Sequence, residues 1–231
     1  LSATPVMAAD PAFSASQMSQ VKIEDLSFKE VMREFYSGQM IPTFADDSYI
    51  DSFPNIGLGH ADSIGYRTVT LMHPAELYDN AKGEPRYLVT IEKVLVNDES
   101  SEYCFPCGST ADLFSFKKLS NGQFQLVSRT SESVVFYEHW GLMNLRNNDI
   151  KDTLQPLGKN LVGSIFISDY MLQGQTTSGW AVLHLPENDF INTYMLGDAG
   201  ADNSGYQEED SPLYYDYEGV VKVIPENAAY Y

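Results

Sequence analysis

From Arg67 onward, apolar and polar residues alternate with a period of two, in runs rich in Val, Ile, Tyr, Phe and Thr that end at Gly, Asn, Asp or Pro. Successive side chains of a strand point to opposite faces, so this period predicts strands over 67–72, 86–96, 113–119, 123–130, 133–139, 161–171, 179–185, 190–196 and 213–224. The clearest hairpin joins 113–119 to 123–130 through Asn121-Gly122, a pair suited to a turn with positive φ at both central residues. Many strands and few helices predict a mainly β fold, an antiparallel sheet, sandwich or partial barrel.

The period differs in one place. Phe28, Val31, Met32 and Phe35 recur at spacings of three, four and seven, which predicts one short helix over about 27–37 whose apolar stripe packs on the sheet. Ser27 and Glu30 have capping-box spacing, Leu26 and Val31 stand at the positions of a hydrophobic staple, and Gly38 can close the far end. Residues 1–20, rich in Ala, Ser, Pro and Met, read as a flexible lead-in. Residues 21–231 read as a single β-rich domain, with the polar stretch 141–159 as the place where two sub-lobes would divide.

Charge changes the picture next. Fourteen Lys and Arg stand against thirty-two Asp and Glu, a formal charge of −18. Such a field repels nucleic acid and favours cations or a basic protein partner. It is concentrated: no Lys or Arg occurs from Asn160 to Val221, where ten carboxylates lie. No apolar run approaches the roughly 20 residues needed to span a bilayer, so no integral membrane segment is expected. Leu1 to Asp10 resembles the tail of a signal peptide, with small or short apolar residues at −3 and −1 for cleavage after Ala8 (Val6 and Ala8) or Ala9. The expected location is therefore exported, periplasmic or extracellular.

Cys104 and Cys107 are the only two cysteines. In an exported chain they are expected to form a short disulfide with each other. The spelling Cys-Phe-Pro-Cys also matches thiol–disulfide exchange, which needs the motif to open a helix. The residues that follow it alternate as a strand, and the structural reading is preferred.

Asp198, Asp202, Asn203, Glu208 and Asp210, with Gly200 and Gly205 for turning, supply the hard oxygens that calcium takes, although not in EF-hand order. The alternative reading is an acidic loop of turn-forming residues. A weaker candidate of the same kind is Asp46, Asp47 and Asp51. Tyr206, Tyr214, Tyr215 and Tyr217 crowd the same region and form a candidate recognition face, since tyrosine combines apolar area with a polar tip and few rotatable bonds.

No nucleophile elbow, zinc-protease helix, P-loop or dinucleotide-binding turn occurs. Glu138-His139 is an adjacent pair, and neighbours on a strand face opposite ways. The preferred reading is an exported, acidic, non-catalytic binding or accessory protein of the cell envelope that engages a basic partner in the manner of an inhibitor. No cofactor is required, and calcium is the one ion considered. The alternatives are a calcium-stabilised extracellular structural module and a C-x-x-C oxidoreductase.

Overall fold

In the computed structural model, which describes residues 14–42, 47–62, 64–97, 109–136, 143 and 147–225, the period-two segments are hydrogen-bonded into one large, mostly antiparallel sheet. A 3-10 turn (Ala15–Gln20) and β1 (Lys22–Ile23) precede α1 (Phe28–Phe35). Next come β2 (Met40–Ile41), α2 (Ser48–Asp51), β3 (Asn55–Leu58), β4 (Tyr66–Met72), β5 (Glu76–Asp79), β6 (Pro85–Asn97), β7 (Ser109–Lys118), β8 (Phe124–Thr130) and β9 (Val134–Phe136). After α3 (Asn147–Asp152) follow β10 (Leu154–Gly158), β11 (Leu161–Leu172), β12 (Gln175–Leu185), β13 (Phe190–Asp202) and β14 (Asp216–Glu218). The spatial order is β10-β11-β12-β13-β8-β7-β6-β4-β3-β2, and the sheet does not close into a barrel. The long C-terminal strands join the N-terminal ones where Phe190 and Ile191 of β13 pair in parallel with Arg129 and Thr130 of β8.

The alternation decides which residues face which layer. On β6 and β7, Val89, Ile91, Phe114 and Phe116 face one side, where Val31, Met32 and Tyr36 of the α1 segment and Met18 of the 3-10 turn cover them. Met18 is fully buried, so the end of the segment read as a lead-in is part of the packed fold. Leu88, Ala111 and Leu113 face the other side and pack against Val162, Leu183, Leu185 and Ile191 of the C-terminal strands and Ile150 of α3. This cluster draws on both sides of the 141–159 stretch. Farther along the same face, Val69, Leu71, Val94 and Val96 are covered by Ile50 of α2. Buried Arg86 clasps the two parts: its Nε and Nη2 donate to Glu187 at 2.8 and 2.7 Å, and Nη2 also donates to Glu84 at 2.8 Å.

Several local expectations change. Only half of the capping box forms: Ser27 Oγ accepts from Glu30 N at 3.4 Å, whereas the Glu30 carboxylate pairs with Arg33 at 2.5 Å. A guanidinium one turn along is the stronger partner for a carboxylate than a backbone N–H, and Asp25 takes the Ser27 N–H instead at 2.8 Å. The Asn121-Gly122 turn has positive φ at Gly122 alone, and closes with Gly122 N donating to Leu119 O at 3.0 Å and Leu119 N to Gln123 O at 2.8 Å. It is a longer loop ending in a left-handed glycine. The two-residue turn with both φ positive lies instead at Gln173 (51°) and Gly174 (80°), between β11 and β12.

The strand predicted over 213–224 shrinks to β14, three residues long. Its alternating tyrosines have no buried face to serve, so the period there does not extend the ladder. Conversely β13 runs on to Asp202, so Asp198 to Asp202 lie on a strand where a loop was expected.

Candidate functional site

The acidic segment is built around Asn203, which is 1% exposed. Its Nδ2 donates to Leu213 O at 2.8 Å, its Oδ1 accepts from Tyr215 N at 2.9 Å, and its own N–H donates to Tyr215 O at 3.2 Å. Both ends of this side chain are thus committed to the backbone that follows, and they fold the 206–215 loop back onto β13. The turns also touch: Gly205 N donates to Gly174 O at 3.2 Å, and a Cβ on Gly205 would stand 2.5 Å from that oxygen. Glycine is required there by close approach. Asn203→Ala is expected to leave two backbone groups without their partner, a local cost of about 1–3 kcal/mol. Amides of 213–217 should then exchange faster by native-state hydrogen exchange; unchanged protection would contradict this role for Asn203.

The other predicted ligands divide. Asp198 Oδ1 accepts from Gly200 N at 3.0 Å and Oδ2 from the Tyr217 hydroxyl at 2.9 Å. Asp202 Oδ1 accepts from Ser204 N at 2.7 Å, and hydrogen bonding with Ser204 holds this carboxyl below its usual range. Glu208 and Asp210 are exposed. Among the described residues no group of three or more His, Cys, Asp or Glu is placed to hold a metal ion. Asp47 caps α2, accepting from Tyr49 N at 2.7 Å and Ile50 N at 3.3 Å. Cys104, Cys107, Asp46 and the Glu138-His139 pair lie outside the described residues.

Of the four tyrosines, Tyr206 and Tyr217 are about half exposed, at 53% and 50%, and Tyr214 and Tyr215 are half-buried. Tyr215 and Tyr217 bring their rings to 6.5 Å. The surroundings push the ionisation of three of them to higher pH. For Tyr217 the cause is its bond to Asp198, and for Tyr214 desolvation followed by Asp216, Glu209 and Asp202. For Tyr215 it is desolvation followed by Tyr206. The face therefore offers neutral hydroxyls in a field of carboxylates.

Composition did not point to the neighbouring part of β13. Tyr194, Met195 and Leu196 are exposed by 53%, 61% and 48%. Three consecutive apolar residues break the period of two, and a strand with one buried face cannot cover all three. That run is the signal in the sequence. Two cavities flank it. One, about 460 Å³, lies on the outer face of the C-terminal strands and is lined by Ile165, Val182, His184, Tyr194, Leu196 and Val221, among others. Burial lowers the basicity of His184 there, against the opposing pull of Asp189. The other, about 300 Å³, lies between residues 131–135 and the stretch from Asn192 to Met195.

Two buried polar clusters sit on opposite faces of β6. Glu92, 0% exposed, accepts from Tyr49 Oη at 2.8 Å and Met143 N at 2.6 Å, and its Oε2 lies 2.7 Å from His73 Nε2. Next to it in sequence, Lys93 pairs with Asp112 at 2.6 Å and donates to Ser133 Oγ at 2.9 Å. Asp112 also accepts from Tyr36 Oη at 2.5 Å and Ser133 Oγ at 2.7 Å. The second set superficially resembles a Ser–Lys pair. Chemically it is not poised for attack: the Lys93 amine donates into an ion pair, and the Ser133 proton points at a carboxylate. Both clusters tie loops to the sheet.

Comparison with protein-family models, with curated proteins and with solved structures found no match. Among the described residues, no helix is long and apolar enough to cross a membrane.

Proposed function

We propose that this chain is an exported, non-catalytic binding protein whose C-terminal strands engage a basic protein partner. One observation carries the reading: the stretch from Asn160 to Val221, without a Lys or Arg, presents Tyr194, Met195, Leu196, Tyr206, Leu213, Tyr217 and Val220 to solvent. Apolar and aromatic area exposed together marks an interaction surface. Surrounding carboxylates select a cationic partner, and speed its encounter, more than they add affinity. The tyrosine rings would serve as contact area with little entropy to lose.

The test is titration calorimetry against cationic proteins, with acidic proteins of similar size as controls. Binding of the cationic set is expected to weaken on the order of tenfold as salt rises from about 50 to about 300 mM, since the field is screened beyond about 10 Å at 0.1 M. Tyr206→Ala and Tyr217→Ala together are expected to weaken it by about tenfold or more, as buried aromatic anchors do. Binding that ignores salt, or equal binding of acidic controls, would overturn the proposal.

A further inference from the structure

We infer that the partner is gripped through its backbone: an extended segment of it adds as a strand to the outer edge of β13, between Asn192 and Leu196. This rests on the basic-partner reading and specifies its mode. β13 pairs with β12 along one edge through most of its length. On its other edge Phe190 and Ile191 pair with β8, and Gly200 to Asp202 pair with β14. Between those points, Asn192 to Leu196 pairs with no strand on that edge among the described residues.

An open edge is a row of N–H and C=O groups ready for another chain, and proteins ordinarily blunt one with Lys, Pro or an inward charge. None of these occurs from Asn192 to Leu196, whose sequence is Asn-Thr-Tyr-Met-Leu. Among the described residues the irregularity on this stretch is the register shift after Trp180, which makes Leu196 a bulge before the ladder with β12 resumes at Gly197. The stretch before it is long enough for a short strand.

The cavities supply the specificity. Side chains of an added strand would alternate between the two faces. On one face they meet the smaller cavity, lined by Thr193 and Met195; on the other they lie against Tyr194 and Leu196, beyond which the larger cavity opens over β11 and β12. Main-chain bonds with alternate side chains in pockets are the recognised form of strand addition. The occupant this geometry fits has apolar residues at the alternating positions and Lys or Arg at the ends, facing Asp189 and Asp198. A second copy of this chain would bring a charge of −18 against its own, so self-pairing is disfavoured.

The probe is a capped peptide with Val at the alternating central positions and Lys at both ends, with two analogues N-methylated at every second residue, one for each edge. Because the changes are in the peptide, the protein's fold is not at issue. The parent peptide is expected to bind, and methylation of one edge to weaken it by about tenfold or more through lost main-chain bonds. Amides within Asn192 to Leu196 should gain hydrogen-exchange protection in the complex. If the parent binds but both analogues bind equally well, with protection confined to 206–217, strand addition is overturned while a basic partner stands. If no cationic protein or peptide binds, both readings fall.

Discussion

Glu92→Ala is expected to lower the free energy of unfolding by about 3–5 kcal/mol, the range found when one partner of a buried charged cluster is removed. Glu92 sits in the middle of β6 with no exposure, between the α2-covered cluster and the one shared with the C-terminal strands. Three groups converge on its carboxylate from three places: Tyr49 on α2, His73 just after β4, and the backbone N–H of Met143. The Phe53 ring packs beside that of His73, with centroids 4.6 Å apart and planes tilted by 41°. Truncation would strand all three groups, each unmet donor costing about 1–3 kcal/mol. Glu92→Gln keeps the shape and one acceptor oxygen but turns an amide toward a donor, so a smaller loss is expected. Urea unfolding at neutral pH measures both. A loss under about 1 kcal/mol for the alanine variant would show that this cluster is not the anchor described.

The second large effect is a stability that falls on both sides of neutral pH through one buried cluster, that of Asp112 with Lys93, Tyr36 and Ser133. Burial pushes the Asp112 carboxyl up, but the Lys93 ammonium and hydrogen bonds from Lys93, Tyr36 and Ser133 outweigh it, and the net position is below the usual carboxylate range. Protonation then favours the unfolded chain. The contribution of Asp112 is complete above the unfolded value near 3.9 and is lost as pH falls through that value toward the folded one.

Tyr36 behaves in the opposite sense. Burial, then the neighbouring Asp112 charge, pushes its ionisation far up, so its contribution is complete below about pH 10 and is lost as pH rises past it. Tyr78, pushed up to about 12 mainly by burial, adds to the same alkaline loss.

Asp112→Asn is expected to flatten the acid limb relative to the parent and to lower neutral stability by about 2–4 kcal/mol, since Lys93 then lacks its ion partner. Tyr36→Phe is expected to flatten the alkaline limb. With thirty-two carboxylates in the chain, the difference between parent and variant in urea midpoint against pH is the quantity to read. An acid limb unchanged in Asp112→Asn would contradict the assignment.

Legibility differed by region for physical reasons. β4, β6, β8 and β11 were readable within a residue or so because each has a face that must be buried, and a two-residue period follows from that alone. The short strands β1, β2, β3 and β5 were not, since two to four residues carry no period and are held by their partners. Likewise α2 and α3 span four and six residues, too few for a helical stripe. Asn203 read as an ion ligand because an amide in an Asp- and Gly-rich stretch looks the same whether its partner is an ion or a backbone ten residues on.

The same division holds for the acidic half with which the functional reading began. Its charge, its lack of Lys and Arg and its strand content follow from composition and local period, because charge is additive and side-chain alternation is a property of the extended backbone. Which edge of β13 lacks a strand partner among the described residues depends on where β8 and β14 meet it, and those contacts are remote in sequence. Burial of Glu92 depends in the same way on Tyr49, His73 and Met143 arriving from three separate segments. Long-range pairing alone determines which polar groups are enclosed and which backbone groups are left facing solvent.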